Sequence, residues 1–138
     1  MIRPLFVLLA AAAPAAAQVA PLSFEAGKSL QITPGQWDHV VSATTSEARY
    51  SSVLSIRCDR QTRNVTISIP AQPGSIFTIA TSEMTRQLPA GGRLAANDPL
   101  LDAIAFSRGR FLVSGGTGPV LAIPNWPEAA RAIEDCRN

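Results

Sequence analysis

The middle of the chain alternates between apolar and polar positions. Within residues 50–58, Leu54, Ile56 and Cys58 fall on one side and Ser55 and Arg57 on the other. Within 63–69, Val65, Ile67 and Ile69 repeat the pattern with Thr66 and Ser68 opposed. A period of two in β-branched residues is the signature of a strand buried on one face. The connector Asp59-Arg60-Gln61-Thr62 is short and polar, so the two strands are expected to form a hairpin. Pro70 ends the second strand, and Gln72-Pro73-Gly74-Ser75 reads as a turn through its Pro-Gly pair. A third strand is expected over 76–81, with 84–88 continuing it or forming a further short one. The cluster Pro89-Ala90-Gly91-Gly92 then breaks the chain.

Two later segments change period. Over 98–106, Leu100, Leu101, Ile104 and Ala105 share a helical face. Asp98 can cap that helix, and Pro99 suits its first position because the missing N–H would be unpaired there. A strand over 108–113, the flexible turn Ser114-Gly115-Gly116-Thr117-Gly118 and a partner strand over 120–123 follow. The last segment is helical, with Asn125 as the expected cap and Glu128 three residues on, as in a capping box. Trp126, Ala129, Ala130 and Ile133 follow the helical spacing, and Cys136 lies at the end. The fold class is therefore mainly β (α+β): an antiparallel sheet or small β-sandwich, one short internal helix, and a C-terminal helix pinned by a disulfide.

The start of the chain sets the expected compartment. Met1-Ile2-Arg3 is a short basic opening, Leu5-Phe6-Val7-Leu8-Leu9 an apolar run, and Ala15-Ala16-Ala17 a small-residue cleavage site. This is the three-part layout of a secretory signal, 1–17, with Gln18 as the new N-terminus. The run is broken by Pro14, shorter than the roughly 20 apolar residues of a spanning helix, and followed by no stop-transfer charges. No transmembrane anchor is expected after cleavage, and no cysteine stands at the cleavage region to carry a lipid. Residues 18–35, with Pro21, Gly27, Pro34 and Gly35, read as a loose lead-in, and 36–138 as a single β-rich domain.

Cys58 and Cys136 both lie in the expected mature part. In an oxidising compartment an even pair reads as one disulfide. It would close a loop of roughly 79 residues, for which chain entropy gives about 4–5 kcal/mol. The chain carries 12 Lys and Arg against 10 Asp and Glu, and only Arg3 lies in the leader. Charge so nearly balanced argues against a nucleic-acid partner, whose phosphates need concentrated cations.

Candidate chemistry is sparse, and the reading assigns no catalytic residue, no metal ligand and no cofactor. His39 is the only histidine, which leaves no multi-histidine zinc site. Asp38 adjoins it and serines abound, so a Ser-His-Asp set is not excluded by counting, but no G-x-S-x-G elbow is present. The 114–118 glycines lack the Lys-Ser/Thr pair of a phosphate loop and read as a hairpin turn. Asn64-Val65-Thr66 matches a glycosylation acceptor but sits in mid-strand. Asp98 with Asp102, and Glu134 with Asp135, read as solvated helix residues rather than facing glycosidase carboxylates. Trp37 and Trp126 read as core or rim anchors. Arg57, Arg60 and Arg63 gather around the first hairpin as a candidate anion-facing patch, or as charge protecting a sheet edge.

A resemblance adds to this reading. The Gly35-Gln36-Trp37 start, the strand ending Leu54-Ser55-Ile56-Arg57-Cys58, its partner over 65–69 and the closing Ala129-Ala130-Arg131-Ala132-Ile133-Glu134-Asp135-Cys136 helix resemble two groups of small exported proteins. One is the type VI secretion-associated accessory family, the other the invasion-associated locus B family. The resemblance implies a non-enzymatic periplasmic or envelope protein that works through protein contacts. The expected partner is another envelope protein or envelope component. It carries over no catalytic residue. The leading expectation is thus an exported, non-catalytic binding or accessory protein. The alternatives are a small envelope hydrolase or an inhibitor of one, and a binder of anionic glycan.

Overall fold

The computed structural model describes residues 11–13, 22–115 and 118–138. The expected signal sequence lies outside them apart from Ala11, Ala12 and Ala13, and so do Gly116 and Thr117 of the glycine-rich turn. In chain order the elements are α1 (Phe24–Gly27), β1 (Trp37–Val41), β2 (Thr45–Tyr50), β3 (Leu54–Asp59), β4 (Asn64–Ser68), β5 (Phe77–Ala80), β6 (Thr85–Leu88) and β7 (Arg93–Ala95). Then come α2 (Pro99–Ala105), β8 (Arg110–Gly115), β9 (Leu121–Pro124) and α3 (Pro127–Asp135). The expected mainly β fold is present, as two antiparallel sheets. One has five strands in the order β1-β2-β3-β4-β7, the other four in the order β6-β5-β8-β9.

The alternation of β3 and β4 explains how the sheets meet. Leu54, Ile56, Cys58, Val65 and Ile67 are wholly buried, and they pack in one core with Ile79, Phe111, Val113 and Ile123 from the four-stranded sheet. Leu100, Leu101 and Ile104 of α2 and Ala129, Ala132 and Ile133 of α3 complete that core. Trp37 joins the two sheets: its ring lies 5.3 Å from that of Tyr50, and its indole N–H donates to the Pro124 carbonyl at 2.8 Å.

Four details differ from the sequence reading. The run 50–58 is not one strand. Tyr50 ends β2, Ser51 takes a left-handed φ of 46°, and β3 begins at Leu54, so β2 and β3 form a hairpin of their own. Asn125 does not cap α3. Its amide instead donates to the carbonyls of Ala105 and Ser107, and Trp126 occupies the cap position without a side-chain bond. The buried face of α3 is Ala129, Ala132, Ile133 and Cys136, while Trp126 stays 49% exposed. Finally, β1, β2 and β7 add three strands to the sheet. β7 starts where Gly92, at φ 61°, comes so close to β4 that a Cβ would lie 1.9 Å from the Ile67 carbonyl oxygen.

The disulfide is formed between Cys58 and Cys136, whose Cα atoms are 5.5 Å apart. It ties the end of α3 to the middle of the five-stranded sheet. The stretch before Gly35 is also attached. Phe24 in α1, with Leu22 and Ile32, covers Ala80, Leu112 and Ala122 on the outer side of the four-stranded sheet. The Thr33 N–H donates to the Ala122 carbonyl and the Thr33 hydroxyl accepts from the Ala122 N–H, both at 2.9 Å.

Candidate functional site

The five-stranded sheet carries helices and the other sheet on one side only. Its other side is built from the polar members of each alternating strand, and strand register sorts them into rows. Arg49, Ser55 and Ser68 make the first row. Glu47, Arg57, Thr66 and Arg93 make the second, and Thr45, Asp59, Asn64 and Ala95 the third. Over these rows lies a basin of about 500 Å³, whose lining also includes Pro70 and Pro73. Its volume falls in the range of small-ligand sites.

Charges in the basin are unevenly engaged. Ser55 donates to Glu47 at 2.7 Å and Arg49 pairs with the same carboxylate at 2.9 Å. The Arg49 hydrogen bond, opposed by burial and helped by Ser55, holds the Glu47 carboxyl below its usual range. Asp59 is also held low, because it accepts from the backbone N–H groups of Thr62 and Gln61. Arg57 and Arg93 are different. Among the described residues, neither forms an ion pair.

The three arginines of the first hairpin therefore point to different places. Arg57 lines the basin. Arg60 reaches the Ser42 carbonyl at 3.4 Å beside the β1–β2 turn. Arg63, in a left-handed conformation at φ 55°, reaches the Arg137 carbonyl at 3.5 Å. The basic neighbour that Arg57 does have is Arg93. Sequence reasoning missed it because a three-residue strand after two glycines carries no readable period.

A second cluster lies on the covered side. His39 Nε2 is 2.9 Å from the Ser46 hydroxyl, which donates to Asp135 at 2.6 Å. All three members of a Ser-His-Asp set are thus adjacent, but their order is not that of a hydrolase. A hydroxyl has one proton, and here an acceptor-only carboxylate takes it. Ser46 therefore stands between His39 and Asp135, and His39 Nε2 also lies 3.6 Å from the same Asp135 oxygen. In a triad the histidine stands between serine and acid and accepts from the serine. Ser46 is moreover wholly buried. Ser46 is the register partner of Cys58, so the Ser46–Asp135 bond and the Cys58–Cys136 bond hold consecutive residues of α3 at one place. The cluster anchors a helix end.

Asp98 and Asp102 are engaged separately. Asp98 caps α2 through the Leu100 N–H and pairs with Arg86 at 2.8 Å, which holds its carboxyl low. Asp102 pairs with Arg137 at 2.8 Å. Among the described residues, no three His, Cys, Asp or Glu side chains come together as metal ligands would, and no helix is long and apolar enough to cross a membrane. A disulfide between buried sulfurs fits a compartment outside the reducing cytosol.

Compared with protein-family models, with curated proteins and with solved structures, the chain matches none.

Proposed function

We propose that the chain is an exported, non-catalytic binding or accessory protein, periplasmic or secreted, whose partner sits on the open side of the five-stranded sheet. The observation that carries this reading is the basin of about 500 Å³ over rows of short polar side chains, with two arginines that form no ion pair among the described residues. Loose surface charge normally finds local partners or protrudes singly, whereas these groups converge on a concavity. The Ser46–His39–Asp135 arrangement supports the non-catalytic part, since its serine proton is directed away from the histidine. The resemblance to two exported accessory families agrees with it.

The test places a photo-crosslinking residue at Thr66, in the basin, or at the exposed Glu134 on α3, in protein exported by a producing cell. Capture of an envelope component from Thr66 and not from Glu134 is expected. Turnover of peptidoglycan, phospholipid or envelope glycan that disappears in His39→Ala would replace this reading with a hydrolase.

A further inference from the structure

We infer that the basin binds an acidic oligosaccharide, with a sugar carboxylate seated over Thr66 between Arg57 and Arg93. This rests on the reading of that sheet face as the binding surface and names what occupies it.

Register supplies the geometry. Arg57 and Arg93 are both direct partners of Thr66, one from β3 and one from β7. Adjacent strands lie about 4.8 Å apart, so the two arginine stems rise roughly 10 Å from each other with one hydroxyl between them. A guanidinium is a planar fork that matches a carboxylate through two parallel hydrogen bonds. Neither guanidinium forms an ion pair among the described residues, although the charge of Arg57 helps to hold the carboxyls of Glu47 and Asp59 low.

The remaining lining selects among anions. Glu47 and Asp59 flank Arg57 in the same basin. As acceptors they suit hydroxyl donors, which a polyphosphate chain does not offer between its charges. Ser68, Asn64 and Thr66 add short donors and acceptors of the kind that bind sugar hydroxyls. The exposed Pro70 and Pro73 add an apolar patch to the lining, against which the C–H face of a pyranose ring can pack. Among the described residues that line the basin none is aromatic. One carboxylate, many hydroxyls and an apolar ring face together describe a uronic-acid-containing glycan.

The experiment is calorimetric titration of the purified, oxidised protein with oligogalacturonate. A neutral glucan oligomer of equal length and inorganic phosphate serve as comparison probes. Saturable binding to oligogalacturonate that weakens as salt is raised is expected, with little or none to the two others. Arg57→Gln and Arg93→Gln should each reduce affinity about tenfold or more, Thr66→Val less, and Arg131→Gln on exposed α3 surface not at all. Melting curves of the variants keep a folding defect apart from a binding one. Absence of binding to oligogalacturonate, equal binding of the neutral glucan, or binding indifferent to both arginine substitutions overturns the inference. If Thr66 crosslinks an envelope component while oligogalacturonate fails to bind, the binding function stands and the acidic sugar does not.

Discussion

The two sheets treat their outer sides in opposite ways. The four-stranded sheet presents Ala80, Leu112 and Ala122 outward, and α1 with its flanking residues covers them. The five-stranded sheet presents Arg57, Thr66, Arg93 and their neighbours outward, and no element among the described residues covers them. An antiparallel sheet can face water on one side, but only where the outward positions are polar. Small apolar residues in the same place create a face that must be sealed, here by a single helical turn. The difference separates a side built for stability from one free to bind.

That comparison can be broken by measurement. The largest effect is expected at the disulfide, which fixes α3 to the covered side of the five-stranded sheet. Reducing it, or replacing both Cys58 and Cys136 by Ala, should cost about 4 kcal/mol and lower Tm by roughly 15 °C. An unchanged melting curve in reductant would show that helix packing alone holds α3. Next comes the seal. Phe24→Ala should cost about 3 kcal/mol, whereas Thr66→Val on the bare sheet should stay within about 0.5 kcal/mol. Equal costs in chemical denaturation would abolish the distinction between the two outer sides. A smaller loss is expected from Gly27→Ala, because the added Cβ would lie 2.0 Å from Leu112 Cδ1. Leu112 must move aside, at about 1–2 kcal/mol, and a crystal structure of the variant would show the displaced side chain.

The smallest effect is pH dependence. Glu47 on the bare side and Asp98 at the α2 cap both titrate lower in the folded chain than in the unfolded one. Their stabilisation is therefore complete above the unfolded carboxylate range and is lost as the pH falls through the folded values. Glu47→Gln and Asp98→Asn should each flatten the decline of Tm between neutral and acid pH. Parallel curves for wild type and both variants would remove these carboxylates from the account.

What the sequence revealed depended on where hydrophobicity was concentrated. β3 and β4 were legible because every inward position holds a bulky apolar residue or a cysteine, and the two cysteines could be paired by count. β2 was hidden because two of its inward residues are Ser46 and Ala48, and a buried serine becomes tolerable only through a partner 89 residues away at Asp135. Trp126 and Asn125 misled at the start of α3, since the local capping pattern competes with bonds from Asn125 to the α2–β8 loop. The candidate basin was half legible. Arg57 could be placed outward from alternation, but its row depends on β7 pairing with β4, and nothing local encodes that register.

The sole covalent crosslink has a consequence for how the chain matures. With two cysteines in the sequence, one intramolecular pairing is available, so oxidation has no wrong internal product to unscramble. An oxidant is needed; an isomerase is not. During synthesis Cys58 emerges 78 residues ahead of its mate and waits unpaired. Over that interval the hazard is a bridge to a different molecule, and it ends once β3 is enclosed between β2 and β4, where Cys58 is wholly buried.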